Sequence, residues 1–484
     1  MSHFSNAVNK VPGLRFIADA LELQSGLGRQ HLMKQSYMHI PAEISRQLDM
    51  VEAFRELLIK DDSKIITDLK HSLSEVHDIT GTLNSLKPGL VLDDIGLFEI
   101  KRFALITNRV KQALHQVGFT ALEFRDTDEV ILILDPDKQR VPHFYIYDSY
   151  SERLARLRKR YADLVSNIKS QTDHDEADDA RIQCIEEEDR VREDLSSDLL
   201  KHKVDLLENL ALVADIDLWL AKAGLAVEFK MCKPEIDLDN NSTRYIQLFN
   251  PSIAEALKQR GKKYQHVDIE FGNEPVLITG ANMGGKSVLL KTVALAQSLF
   301  QFGFFIPADQ AVIVPVEQVM TSMGDEQSEL QGLSSFAAEM LKINSIIEAA
   351  KAGKSMLALI DEPARTTNPT EGQAIVNSLI DILDSNNVRS LVTTHYSGIT
   401  STCRRLKVAG LRTEEFTSAP TIKTINDHMD YSLIELQPVT EGGLSYEDDV
   451  PREALHIAAI LNVDTELLER AACYITKERI SSKH

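Results

Sequence analysis

The sequence predicts an all-α N-terminal half with a long helical hairpin, followed by an α/β domain built on a mostly parallel sheet flanked by helices. Three observations predict it. Up to about residue 125, apolar residues recur at three- and four-residue steps. Between 154 and 220 they fall into heptad runs. From about 225, short apolar runs (PVLIT, SMLALID, RSLVTTH) alternate with helical stretches, as in a parallel sheet covered on both faces. The expected domains are a helical core with a small hairpin at 1–149, a lever-like helical hairpin at 150–224 and the α/β domain at 225–484.

In the first domain, Leu14, Ile17, Ala18 and Leu21 make one stripe, and Ile44, Leu48, Val51 and Phe54 make another. Pro12, Pro41 and Pro88 stand near helix ends. The runs VILILDP and VPHFYIYD, between 130 and 148, are β-branched and aromatic and separated by turn residues, so a small β-hairpin is expected there. Two heptad arms follow, Leu154, Leu157, Tyr161, Leu164 and Ile168, then Leu195, Leu199, Leu206, Leu210, Val213 and Leu220. Between the arms, residues 173–194 hold eleven acids (Asp173, Asp175, Glu176, Asp178, Asp179, Glu186, Glu187, Glu188, Asp189, Glu193, Asp194) against three bases (Arg181, Arg190, Arg192). This middle is expected to be a charged, solvated loop or tip.

At 484 residues the chain exceeds one ordinary core. With 43% hydrophobic and 26% charged residues it reads as globular. Four scattered cysteines, Cys184, Cys232, Cys403 and Cys473, form no zinc or disulfide pattern and suit a reducing compartment. No secretory leader or membrane-length apolar run is visible, so a cytoplasmic location without membrane contact is expected. The net charge of −20 means that any surface gripping nucleic-acid phosphates must be a local patch. One basic cluster exists, Arg153, Arg156, Arg158, Lys159 and Arg160.

The residues Gly280, Ala281, Asn282, Met283, Gly284, Gly285, Lys286 and Ser287 fit G-x-x-x-x-G-K-[ST], between a strand and a helix. The glycines let backbone N–H groups turn inward around phosphate oxygens, and the helix N-terminus adds partial positive charge. Lys286 would reach the β- and γ-phosphates of ATP, and the Ser287 hydroxyl would ligate Mg2+. About 75 residues later Met356–Glu362 is an apolar strand ending in Asp361 and Glu362. Asp361 suits the Mg2+ of the nucleotide, and Glu362 suits the attacking water. A third apolar strand ends at His395, where a histidine can sense the γ-phosphate.

These elements together resemble the ABC-type ATPases and, more narrowly, the MutS family of P-loop ATPases. GANMGGKS is similar to that family's GPNMGGKS, Thr321 to Met340 to its G-x-S-T-F-x-x-E-M segment, DEPARTTNPTEG to DE-x-G-R-G-T-S-x-x-D-G, and TTHY to ATHY. A weaker likeness covers residues 14–56. The resemblance implies ATP hydrolysis at the face of a homodimer or heterodimer, with Ser334 and Ser335 contacting the γ-phosphate of the opposite subunit. Three departures stand out. The chain starts at the family's helical core, without the mismatch-reading domain. The loop after Glu362 loses two glycines and gains Pro363 and Pro369. Little chain follows LLERAACYITKERI for the family's dimerisation helices. The acidic segment lies where the family's DNA clamp should be. With the DEPARTTNP loop and the VPREAL segment, it resembles the short MutS-like reactivating factors of adenosylcobalamin-dependent aminomutases. The expected partner is therefore a client protein such as an aminomutase, with DNA the disfavoured partner and a DNA mismatch-repair-type role the alternative.

Overall fold

The computed structural model describes residues 3–60, 63–167, 171–280, 285–324, 335–411, 428–436, 458 and 463–481. They divide into two compact units, residues 22–34 with 53–224, and residues 1–21 and 35–52 with 225–484.

The unit formed by 22–34 and 53–224 is helical, with no strand among its described residues. Its longest helices are Asp94–Gln116, Gln171–Leu200 and most of Lys203–Glu228. Asp94–Gln116 starts where Asp93 accepts the Gly96 N–H at 2.8 Å, satisfying one of the donors that a helix N-terminus leaves open. The expected hairpin between 130 and 148 is not there. Asp128–Leu134 is a helix, and a 3-10 turn at Asp148–Tyr150 follows. The β-branched run misleads because Val130 and Leu134, four apart, are the buried pair, which is helical spacing. Lys101 is fully buried beneath the segment that follows, donating to Asp135 Oδ1 at 3.1 Å and Tyr147 Oη at 3.0 Å.

The acidic middle is not a loop either. Residues 171–200 form one helix packed along Glu152–Ser166. Its buried stripe is Ala177, Ala180, Cys184, Glu187, Val191, Leu195 and Leu199, a near-heptad spacing written in small and polar residues. Glu187 is held by the Ser151 hydroxyl at 2.8 Å and by Arg153 and Arg190. Arg158 joins Glu188 to Asp148, at 2.7 and 2.6 Å. Two members of the basic cluster, Arg153 and Arg158, are thus engaged in ion pairs. The second arm, Leu195, Leu199, Leu206, Leu210, Val213 and Leu220, is buried as expected, whereas in the first arm Leu154 is buried, Leu157, Tyr161 and Leu164 are half-buried, and Ile168 lies outside the described residues.

Burial pushes the Lys222 ammonium on Lys203–Glu228 down to about 7, with Asp215 opposing the shift. Unfolded lysine titrates near ~10.4. Across that window the unfolded chain holds the extra proton, so stability rises with pH from about 7 upward and the full penalty stands below it. The slope from one proton is at most about 1.4 kcal/mol per pH unit. Thermal melting from pH 6.5 to 9 is expected to rise more steeply in the wild type than in Lys222→Met. The slope, not the offset between the two proteins, isolates this proton.

The other unit carries ten strands among its described residues. They are β1 (Glu235–Ile236), β2 (Thr243–Leu248), β3 (Val267–Phe271), β4 (Pro275–Thr279), β5 (Gln310–Ile313), β6 (Gln318–Ser322), β7 (Met356–Ile360), β8 (Arg389–Thr393), β9 (Arg404–Leu411) and β10 (Met429–Glu435). The larger sheet runs β10-β9-β4-β8-β7-β6, parallel except for β10. A smaller sheet, β1-β5-β2-β3, was not expected. Every residue of β4, β7 and β8 is buried, as central strands of a parallel sheet between helix layers should be, Arg389 and Ser390 of β8 included. Helices Ser335–Lys351 and Pro369–Ser385 contribute Ile343, Ile346, Val376, Leu379 and Leu383 to the core that receives β7 and β8.

Candidate nucleotide site

The sheet order makes β4, β8 and β7 consecutive neighbours, with Ile278 opposite Thr393 and Ile360 opposite Val392. Chain segments leaving their C-terminal ends therefore emerge side by side, where ligands of parallel α/β sheets bind. Gly280 leaves β4, Asp361 and Glu362 leave β7, and His395 leaves β8.

Gly280 stands at φ +134°, and a Cβ there would crowd Val408 Cβ at 3.1 Å. Gly285 caps helix Lys286–Gln301 at φ +74°, with a Cβ meeting Tyr431 Cδ1 at 2.9 Å. Both positions need glycine for conformation and for space. Ala281, Asn282, Met283 and Gly284 lie outside the described residues. Lys286 is buried, and its Nζ donates to the Gly280 carbonyl at 2.6 Å and lies 3.7 Å from Glu362 Oε1. Ser287 occupies the first turn of the helix.

Asp361 and Glu362 are held by β8 as well as by their own strand. The Thr393 hydroxyl donates to Asp361 Oδ1 at 2.6 Å and accepts the Glu362 N–H at 2.9 Å. The Asp361 N–H bonds to the Ser322 carbonyl at 2.9 Å. Glu362 Oε2 faces Arg365 and His395 Nδ1, each at 3.8 Å. His395 Nδ1 is shielded from solvent and has no hydrogen-bond partner, a polar atom left for a ligand or water to satisfy. Lys286, Asp361, Glu362 and His395 thus converge. Ser334 and the side chain of Ser335 lie outside the described residues, and Ser335–Lys351 is a helix.

The loop after Glu362 keeps the backbone shape that glycines would allow. Glu362 stands at φ +46° and Ala364 at φ +62°. Pro369 is the first residue of Pro369–Ser385, behind the Asn368 cap, a place where proline fits without strain. Ala364 is fixed on both sides: its N–H donates to Glu339 Oε1 at 2.9 Å, and its carbonyl accepts from Tyr396 Oη at 2.6 Å. Burial raises the Glu339 carboxyl, against the opposing Ala364 N–H and Arg365. Sequence reasoning passed over both side chains; the only signals were their places inside the SSFAAEM and TTHY segments. It also missed a cavity of about 260 Å3 beside Gly285, lined by Leu257, Tyr264, Gln265, Val288, Leu289 and Tyr431. There Gln265 accepts the Tyr431 N–H at 3.1 Å and donates to Asp430 at 2.8 Å.

Residues 276–431 match the family model of MutS domain V, an ATPase domain. The chain is 30% identical over 298 residues to the endonuclease MutS2 of Caldanaerobacter subterraneus subsp. tengcongensis, covering 60% of this chain and 34% of the relative. It is 35% identical over 240 residues to that of Lachnoclostridium phytofermentans, covering 48% and 28%. With the protein of that name from Streptococcus mutans serotype c, it is 25% identical over 426 residues, covering 86% and 51%. The chain thus spans between about a quarter and a half of the length of these curated relatives.

Proposed function

We propose that this chain, whose residues 276–431 form a MutS-type ATPase domain, binds and hydrolyses ATP to drive opening and closing of a dimer, with a second copy or a related subunit. The observation that carries the reading is the meeting of a phosphate-loop lysine, two carboxylates and a histidine at the ends of three neighbouring strands. Gly280 and Gly285, both at positive φ and with Val408 and Tyr431 where a Cβ would lie, supply the glycine backbone that a phosphate loop uses. The apolar cavity beside Gly285 suits a planar base. Lys286 would give up the Gly280 carbonyl for the β- and γ-phosphates. Ser287 and Asp361 would hold Mg2+, which would neutralise charge on the phosphates. Glu362 takes a proton from the water that attacks the γ-phosphorus as the bond to the bridging oxygen breaks, releasing ADP and phosphate. His395 faces the same carboxylate and would read the γ-phosphate. Ser335, the first residue of Ser335–Lys351, and Ser334, its neighbour in the sequence, would complete the opposite subunit's site, where a helix N-terminus favours an anion.

The named activity of the relatives points to nucleic acid as the substrate on which this engine works. Arg156, Lys159 and Arg160 support this reading. They line one open concavity on Glu152–Ser166 with Asp163, Leu164 and Asn167. Three neutralised phosphates give a salt slope of about −2.7, from roughly −0.9 each. Fluorescence anisotropy on matched, mismatched and branched duplexes, with ADP and with a slowly hydrolysed ATP analogue, is expected to show weak binding with a slope of that order. Neutralising Arg156, Lys159 and Arg160 together should abolish it. Absence of binding at low salt, or binding indifferent to the triple variant, would overturn the nucleic-acid reading.

A second reading, a protein client such as an aminomutase, is favoured by the exposed acids of Gln171–Leu200, among them Asp178, Asp179, Glu186 and Glu193, which would repel a phosphate backbone. Of its two sequence signals, VPREAL lies outside the described residues.

A further inference from the structure

Glu362 and the residue two places on both stand in left-handed backbone conformations that side chains other than glycine adopt at a cost. Such a turn persists only where its surroundings over-determine it. Here the surroundings are specific. The Thr393 hydroxyl takes the Glu362 N–H, and two side chains from different elements take the N–H and the carbonyl of Ala364. Glu339 comes from the second turn of Ser335–Lys351 and Tyr396 from the segment after β8. Tyr396 reaches Ala364 because Gly372 leaves room: a Cβ on Gly372 would overlap the Tyr396 phenol. Ala364 itself is wholly buried, so no water can replace either bond without rearrangement.

We propose that Glu339 and Tyr396 are positioning residues for the hydrolytic carboxylate. By holding Ala364 from both sides they fix the turn on which Glu362 stands, and Glu339 ties that turn to the helix beginning at Ser335. The proposal rests on the ATPase reading above. It gives these side chains no contact with ATP, so they should act on the rate of hydrolysis and not on nucleotide binding. A displaced general base loses rate steeply with small errors in geometry.

Steady-state ATP hydrolysis by the full chain tests the clamp, with ADP affinity and thermal melting measured on each variant. Tyr396→Phe is expected to lower kcat roughly tenfold, the loss of one buried hydrogen bond, with KM and ADP affinity unchanged. Glu339→Ala should behave likewise, whereas Glu339→Gln, which keeps an acceptor oxygen for the Ala364 N–H, should recover most of the rate. The decisive arm is the double variant Tyr396→Phe with Glu362→Gln. If Tyr396 acts through Glu362, adding the phenylalanine to the glutamine variant costs little further rate. A full multiplicative loss in the double variant, or wild-type kcat in both Tyr396→Phe and Glu339→Ala, overturns the clamp. Should Glu339→Ala fail to fold, Glu339→Gln and the double variant still decide. A wild-type chain that does not hydrolyse ATP would fault the ATPase reading instead, a result distinct from clamp variants that keep full activity.

Discussion

Glu362→Gln is expected to lower the turnover of ATP by roughly a hundredfold to ten-thousandfold while nucleotide still binds, the range a positioned general base contributes. The glutamine keeps the size of the side chain and can keep the backbone bond from Glu362 N–H to the Thr393 hydroxyl, so the strained turn need not collapse. It loses the negative charge that Lys286, Arg365 and His395 surround, and with it the capacity to take a proton from water. Phosphate release under saturating ATP measures the loss. A turnover within a few-fold of wild type would remove Glu362 from this role.

Lys286→Ala has the second large effect, on binding. The ammonium is buried with the Gly280 carbonyl and Glu362 as neighbours, so its replacement removes a desolvated cation from the place where phosphate charge concentrates. Hydrogen bonds to charged groups are worth about 1.5–3 kcal/mol, so ATP affinity should fall by roughly ten- to a hundredfold, read by titration with a fluorescent nucleotide. Unchanged affinity would mean that the phosphates lie elsewhere. The folded chain should tolerate the change, because β4 and Lys286–Gln301 are held by a core in which Val276, Leu277, Leu290, Val293 and Leu299 are fully buried.

Much of the candidate site was legible in the sequence: Lys286 from the spacing of the phosphate-loop motif, and Asp361, Glu362 and His395 because they follow short buried strands whose ends a parallel sheet brings together. The clamp was not. Glu339 and Tyr396 act on the backbone of Ala364, and no local spacing announces a side chain that bonds a main-chain group 25 or 32 residues away. The acidic helix was hidden for a different reason. Its buried stripe uses Ala177, Ala180, Cys184 and Glu187, which a search for large apolar residues passes over. The run at Asp128–Leu134 shows the converse failure, where β-branched composition outweighed a four-residue spacing that was already helical. Grouping of residues 35–52 with the strands beyond 225 depends on long-range packing, which periodicity does not encode.

A single-turnover experiment tests the central claim most directly. Protein in excess over radiolabelled ATP is mixed with Mg2+, quenched over time and analysed for ADP, with wild type, Glu362→Gln and Lys286→Ala side by side. Wild type should convert its bound ATP, Glu362→Gln should hold ATP largely intact, and Lys286→Ala should retain little nucleotide at all. Conversion of bound ATP by Glu362→Gln at the wild-type rate would contradict the assignment of hydrolysis to the carboxylate at the end of β7.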